Sequence, residues 1–244
     1  FFVSMHFTAP HWPWQTPDDA ATGSAEKDAR DMQGGNIRTY GRVMESMDAN
    51  IDRVMRELAR LGLEGDTIVM FTSDNGGERF SDSWPLTGMK GELLEGGIRV
   101  PLIVTWPKGL PSGAVSDQVA MSMDAMPTLL AVAGGVAPAG IDGVSLLPNL
   151  HNPKLVAPRD VYWRHKARQQ FAVRSGDWKY LRIDGKEFLF NLAADERERA
   201  DLQSIEPARL AALRNASEEW NRSMLGYPEK SYSEDLKGKF ADRI

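Results

Sequence analysis

The sequence predicts a layered α/β domain with a largely parallel or mixed sheet, followed by a smaller C-terminal antiparallel sheet with a helix. Three observations indicate this fold class: an apolar strand at residues 67–73, an amphipathic helix just before it, and several short aromatic-rich strands after residue 158. An apolar run with little alternation is typical of a strand that is buried on both faces, as in parallel sheets.

The helix before this strand has one apolar face, because apolar side chains recur at alternating spacings of three and four residues. They are Ile37, Tyr40, Met44, Met47, Ile51, Val54, Leu58 and Leu61. A coiled coil is the competing interpretation, but only about three and a half heptads precede the strand. Gly62 and the pair Gly65-Asp66 end the helix and turn the chain into the strand. A helix, a turn and a buried strand in this order are typical of a layered α/β domain.

The other segments follow in chain order. We expect strands at residues 1–7 and 98–106, and an apolar helix within 117–134. A proline-rich and glycine-rich crossing segment at 137–158 is the expected domain boundary. Residues 1–150 should therefore form a portion of the α/β domain, and residues 151–244 a small α+β subdomain with a polar tail.

The second part of the chain has the sequence pattern of an antiparallel meander. The segments VYWRH, FAVRSGDWKYLRI and KEFLFNL are short and aromatic-rich, and Ser175-Gly176-Asp177 and Asp184-Gly185 interrupt them as turns. A helix from about Glu206 to Met224 should cover one face of this sheet.

Composition excludes several classes of function. The 244 residues carry a net charge of −5, which gives no reason to expect nucleic-acid binding. No stretch is long and apolar enough to predict a membrane span. The absence of cysteine excludes disulfides, thiolate zinc sites and cysteine nucleophiles within these residues. Because the chain opens on FFVSMHF, in what reads as the middle of a strand, we expect a fragment or a processed piece.

The strand at 67–73 runs directly into Asp74, Asn75 and two glycines. In open α/β sheets the functional crevice lies beyond the carboxyl ends of the strands, where Asp74 and Asn75 would fall. Carboxylate and amide oxygens are ligands for calcium or magnesium, so this turn is a candidate metal site. A hairpin turn is the alternative interpretation, since Asn-Gly is the strongest short hairpin signal.

His11 and Lys90 are the candidate catalytic residues. His11 follows the first predicted strand, and Lys90 lies in the glycine-rich loop before the strand at 98–106, with Glu95 and Arg99 nearby. A cation, a lysine and a histidine together suit the transfer of a sulfuryl or phosphoryl group, in which charge on oxygen must be neutralised. Taken singly, a histidine beside tryptophans is more often packing and a loop lysine is more often solvated.

The order and the local sequences of these segments resemble those of the sulfatase family, within the alkaline-phosphatase-like superfamily. The resemblance runs from Phe1 to about Asp201 in collinear order. The matching segments are FTAPHWPWQTP, LARLGLEGDTIVMFTSDNGG, GMKGELLEGGIRVPLIVTWPKGLPSG, MDAMPTLLAVAGG with IDGVSLLP, and AVRSGDWKYL.

The resemblance implies an arylsulfatase-like hydrolase that acts on a small sulfated substrate. Asp74 and Asn75 resemble two of the family's divalent metal ligands, usually for calcium. Lys90 is similar to the lysine that contacts the sulfate, and His11 is similar to a histidine that contacts the sulfate and assists departure of the alcohol. Glu95 and Arg99 are expected to have a supporting structural role.

The chain also departs from the family pattern. The family nucleophile is a formylglycine made from Cys or Ser in a Cys/Ser-x-Pro-x-Arg motif, which is expected upstream of this chain and is not found within it. The nearest segment, Ser204 to Arg209, has its proline one residue too far on. We therefore expect the chain alone to bind calcium weakly or not at all, and to lack sulfatase turnover. We also expect it to self-associate or to bind a missing N-terminal piece.

Two other functions remain open on the sequence. One is a phosphonate or phosphate ester hydrolase of the same superfamily, because tetrahedral anions of both kinds suit the same metal and lysine. The other is a non-catalytic binding or assembly module, in which these residues serve only as scaffold.

Overall fold

The structure is a computed structural model that describes residues 1–16 and 35–227. The predicted polar tail lies largely outside the described residues, as do residues 17–34. The described chain falls into two compact units, residues 1–16, 35–67 and 78–81 in unit 1 and residues 68–77 and 82–227 in unit 2. No helix within these ranges is long and apolar enough to cross a membrane.

The helices are α1 (Ile37–Arg60), α2 (Glu95–Ile98), α3 (Ala125–Val132), α4 (Leu147–His151) and α5 (Pro207–Ser223). The strands are β1 (Val69–Thr72), β2 (Leu102–Thr105), β3 (Asp160–His165), β4 (Gln170–Ser175), β5 (Trp178–Ile183) and β6 (Lys186–Asn191).

Helix α1 is the main element of unit 1 and confirms the predicted amphipathic helix. It begins after Asn36, whose side chain accepts hydrogen bonds from the amides of Arg38 and Thr39 and so satisfies two otherwise unpaired donors. Gly62, with φ +68°, follows its end, as a helix C-terminus favours. The predicted strand at residues 1–7 does not form, since none of the described residues pairs with this segment.

Strands β1 and β2 form an antiparallel pair in unit 2, with Val69 opposite Thr105 and Thr72 opposite Leu102. The connection between them is a long loop that contains only the four-residue helix α2. A parallel pair would need a longer crossover connection, usually a helix. The α/β class is confirmed, but all strand pairs among the described residues are antiparallel, without the parallel pair that a parallel or mixed sheet would contain. The expectation that β1 is buried on both faces is wrong, because Phe71 is 40% exposed.

The C-terminal part of unit 2 is a four-stranded antiparallel meander in the order β3-β4-β5-β6, as predicted. Alternation sends successive side chains to opposite faces, so Leu181 and Tyr180 belong to different apolar clusters. Helix α5 covers the Tyr180 face with Leu210 and Leu213. The Leu181 face is covered by Leu93, from the loop that precedes α2.

The predicted helix within 117–134 is shorter than expected, because α3 starts only at Ala125. A single 3-10 turn, Ser122–Asp124, precedes it. The Asp124 carboxylate is fully buried and accepts hydrogen bonds from the amides of Met121 and Val144, so it fixes the start of this helical segment. Arg159 neutralises that buried charge at 2.7 Å.

Candidate active site

Asp74 and Asn75 lie directly after the carboxyl end of β1, as the sequence predicts. The Asp74 side chain is exposed and Asn75 is half-buried, and the Ser73 hydroxyl donates a hydrogen bond to the Asn75 carbonyl at 3.0 Å. The hairpin alternative is wrong, because a type I′ turn needs positive φ at both central residues and neither Asn75 nor Gly76 has it. β1 pairs instead with β2, far along the chain.

The turn after β1 is bonded to the loop that carries Lys90. The Gly76 amide donates to the Gly97 carbonyl at 2.8 Å, and the Lys90 amide donates to the Gly77 carbonyl at 2.8 Å. We call residues 87–98 the glycine-rich loop. The structure therefore brings the backbone of Lys90 next to the Asp74-Asn75 turn.

Glycine is required where these two backbones meet. A Cβ on Gly76 would lie 1.9 Å from the carbonyl oxygen of Gly96, and a Cβ on Gly96 would lie 2.3 Å from the carbonyl oxygen of Gly88. Real Cβ contacts are never this short, so these glycines allow backbone to pack on backbone. From the sequence alone, Gly96-Gly97 could equally have shaped a simple turn.

The glycine-rich loop is also held by the C-terminal sheet. Gln170, fully buried at the start of β4, accepts a hydrogen bond from the Leu93 amide at 2.9 Å and donates one to the Gly91 carbonyl at 2.8 Å. Arg168 donates to the Glu92 carboxylate at 2.8 Å. The loop is thus fixed from both sides, by the turn after β1 and by the start of β4.

Three charged side chains lie beneath this loop, and we call Glu95, Lys179 and Glu198 the buried charge cluster. The Lys179 ammonium is 0% exposed, lies 2.7 Å from Glu95 Oε1 and lies 2.8 Å from Glu198 Oε1. The first contact is an aligned hydrogen bond, whereas the second is an ion pair without hydrogen-bond alignment. Burial raises the pKa of the Glu198 carboxyl above its ordinary value, although Lys179 opposes this.

Sequence reasoning missed Lys179 and Glu198. A signal was available for Lys179, since alternation along β5 puts it on the same face as Leu181, where a lysine is out of place unless it is paired. No local pattern distinguishes Glu198, which lies in an irregular segment after β6. Only the folded chain brings it to Lys179.

His11 lies in unit 1, in the proline-rich loop, and its side chain is exposed. Its Nδ1 is 2.6 Å from the carbonyl oxygen of Trp12. A carbonyl oxygen only accepts, so Nδ1 is the donor in this contact. Trp12 is fixed in turn by donating from its indole nitrogen to Glu78 at 2.8 Å.

The described residues supply only part of a cation site. Calcium takes six to eight oxygen ligands, and Asp74 with Asn75 offers about three. Within residues 1–16 and 35–227 no group of three or more His, Asp or Glu side chains is arranged to hold a metal ion. The side-chain oxygens of Asp74 and Asn75 suit calcium, yet these two residues do not form a complete calcium site.

Two family models match the chain. One is described as Sulfatase and matches residues 1–136. The other is described as N-sulphoglucosamine sulphohydrolase, C-terminal, and matches residues 90–218. Together they span both the turn after β1 and the C-terminal meander.

Curated relatives match over similar stretches. Arylsulfatase A of Bos taurus is 38% identical over an alignment of 151 residues that covers 57% of this chain and 29% of the relative. Steryl-sulfatase of Mus musculus is 41% identical over 46% of this chain and 20% of the relative. N-acetylglucosamine-6-O-sulfatase of Bacteroides thetaiotaomicron is 31% identical over 66% of this chain and 31% of the relative. The chain therefore spans less than a third of the length of these relatives.

Solved structures are similar over most of the chain. The complex of Ps i-CgsB with k-i-k-neocarrahexaose is 25% identical with a TM-score of 0.76, covering 96% of this chain and 52% of that chain. A phosphonate monoester hydrolase of Agrobacterium radiobacter is 24% identical with a TM-score of 0.57, over 77% of this chain and 41% of that chain. The second likeness concerns the fold alone.

Proposed function

Since this chain belongs to the sulfatase family, we propose that the whole protein is a sulfuric ester hydrolase that releases sulfate from a small sulfated substrate. The observation that carries the proposal is the bonding of the Asp74-Asn75 turn to the loop of Lys90, through Gly76 and Gly77. The two segments whose backbones are bonded carry oxygen ligands and an ammonium group, which together suit a substrate with a tetrahedral anionic group. Family membership also implies a metal and a formylglycine in the complete enzyme.

Each predicted site residue has a proposed role. Asp74 and Asn75 would supply part of the oxygen set for a divalent cation, calcium in the first instance, whose positive charge would polarise the sulfate. Lys90 would neutralise negative charge that builds up on the sulfate oxygens. His11 would contact the sulfate, and its Nε2 would pass a proton to the departing alcohol. The role of His11 is supported by the resemblance of its own segment.

The domain division is proposed on the same basis. Residues 1–150 would be a portion of the sulfatase catalytic domain, and residues 151–244 a small C-terminal subdomain. Self-association, or association with a further piece of the protein, is also a proposal, and exposed apolar side chains such as Phe71 and Ile103 support it.

The direct test is sulfate release by the full-length protein. We expect hydrolysis of at least one member of a panel that includes 4-nitrophenyl sulfate and a 6-sulfated N-acetylglucosamine. The Lys90→Met variant should lose roughly a hundredfold or more in kcat/KM, the usual effect of removing one transition-state contact. Lys186→Met, which changes an exposed lysine on β6, is the matched control and should keep its activity.

Phosphate and phosphonate esters tested side by side separate the neighbouring enzyme class. A higher kcat/KM for a phosphonate monoester than for every sulfate ester would contradict the proposal. If a folded full-length protein hydrolyses none of these esters, the non-catalytic module becomes the better interpretation.

A further inference from the structure

The buried charge cluster is an unusual feature of the C-terminal sheet. Lys179 is fully buried and Glu95 and Glu198 are nearly so, in the layer that also holds Leu93 and Leu181. Removing such charges from water is unfavourable, and their mutual attraction offsets this cost only when their geometry and hydrogen bonds are good. Well-packed apolar residues could fill such a place without loss of stability, so stability alone does not account for three charged groups.

The cluster is joined to the proposed site through the backbone of α2. Glu95 is the first residue of α2, and its amide donates to Glu198 Oε2 at 2.6 Å while its carboxylate accepts from Lys179. The next residues, Gly96 and Gly97, bond to the Thr87 carbonyl at 2.7 Å and to the Gly76 amide at 2.8 Å. A displacement of Glu95 would therefore move both ends of the glycine-rich loop.

The segment that carries Glu198 contacts the same loop a second time. The Arg197 carbonyl accepts a hydrogen bond from the Thr87 hydroxyl at 2.5 Å, and the Arg197 guanidinium lies over the Trp84 ring at 4.2 Å. Glu198 has φ 54°, a left-handed backbone conformation that is strained for a non-glycine residue. The surrounding contacts hold Glu198 in this strained conformation with its carboxylate directed to Glu95 and Lys179.

We propose that Lys179 and Glu198 are positioning residues for the reaction. Acting through Glu95, they fix the glycine-rich loop so that Lys90 and the Asp74-Asn75 turn keep the spacing that a bound sulfate ester requires. This role rests on the proposed sulfatase function. Neither residue touches the substrate.

The experiment uses the full-length protein with Lys179→Met, Glu198→Gln and the control Lys186→Met. Met replaces the buried lysine with an apolar side chain of similar length, and Gln keeps an oxygen that can accept from the Glu95 amide. Thermal unfolding first identifies the variants that fold. We expect folded Lys179→Met and Glu198→Gln to lose roughly tenfold to a hundredfold in kcat with little change in KM, because small displacements of catalytic groups have effects of this size.

Hydrogen–deuterium exchange gives a second measurement that does not depend on activity. Peptides that cover residues 74–98 should exchange faster in both cluster variants than in Lys186→Met, while peptides of β3 and β4 stay protected. If Lys179→Met does not fold, Glu198→Gln alone decides. Unchanged exchange at 74–98, or a kcat within twofold of the control, would overturn the positioning role. If the wild-type protein hydrolyses no sulfate ester, the proposed function fails. Faster exchange at residues 74–98 in the cluster variants would still show that the buried charge cluster holds the glycine-rich loop in place.

Discussion

The Gly76 amide donates a hydrogen bond to the Gly97 carbonyl at 2.8 Å, so the turn that carries Asp74 and Asn75 rests directly on the helix that begins at Glu95. This backbone contact joins two sequence segments that are separated by a long loop. It places the candidate metal ligands next to the loop of the candidate catalytic lysine.

The first prediction concerns Gly76. The change Gly76→Ala should lower the free energy of unfolding by about 1–3 kcal/mol or more, the usual cost of overpacking, because the new Cβ would overlap the Gly96 carbonyl. Urea unfolding followed by circular dichroism measures this. Gly41→Ala is the control, since Gly41 lies inside α1 with open space around it and should gain up to about 1 kcal/mol from helix propensity. Equal free energies of unfolding for the two variants would contradict the close packing of Gly76 against the Gly96 carbonyl.

The second prediction concerns the pH dependence of stability at Glu198. Because burial raises its pKa, the folded state holds this proton more tightly than the unfolded state. The stabilising contribution is therefore complete below the ordinary pKa of glutamate and is lost as the pH rises through the raised folded pKa. In Glu198→Gln that part of the pH dependence should disappear.

Urea unfolding across a pH series measures this difference, with the exposed Glu64→Gln as the control. The control should keep the wild-type slope on the acid side of neutrality. A Glu198→Gln variant with that same slope would show that Glu198 titrates normally.

The third prediction concerns the pair of Glu187 and Arg214. Two short hydrogen bonds from Arg214, at 2.6 and 2.5 Å, lower the pKa of the Glu187 carboxyl, and Tyr180 donates a further one. A lowered pKa contributes stability above the ordinary pKa of glutamate, and this is lost as the pH falls through the folded value. Arg214→Met should cost about 1 kcal/mol near neutral pH, as expected for a half-buried bidentate pair.

Denaturant titrations of Arg214→Met at neutral and at acid pH test this. The difference from wild type should shrink at acid pH, where the carboxyl is protonated in both proteins. Arg222→Met, an exposed arginine on the same helix, should be close to wild type at both values. A deficit in Arg214→Met that persists unchanged in acid would point to lost packing instead of lost charge.

The fourth prediction concerns calcium. The 244-residue chain should bind calcium weakly or not at all, because Asp74 and Asn75 supply fewer oxygens than calcium requires. Isothermal titration calorimetry measures the affinity, and Asp74→Asn is the variant that should abolish any weak heat signal. A submicromolar Kd that depends on Asp74 would overturn this expectation.

The candidate site shows which inferences a sequence permits. The pattern of strand, carboxylate, amide and glycine predicted where Asp74 and Asn75 lie, because a strand end exposes the residues that follow it. The sequence alone is consistent with simple turns at Gly76 and Gly96, whereas the structure shows that both glycines allow close approach of two backbones. The prediction of a strand at residues 1–7 is wrong, because an apolar run forms a strand only when a neighbouring strand pairs with it.

The sequence by itself determined the amphipathic helix α1, the strand that precedes Asp74, the antiparallel meander and the family. Each of these inferences depends on hydrophobic periodicity or on a sequence motif within a short segment. Only the tertiary structure decided that Lys179 and Glu198 meet Glu95 beneath the glycine-rich loop. These contacts join residues far apart in the chain, and the energy of a buried charge depends on partners that no local pattern specifies.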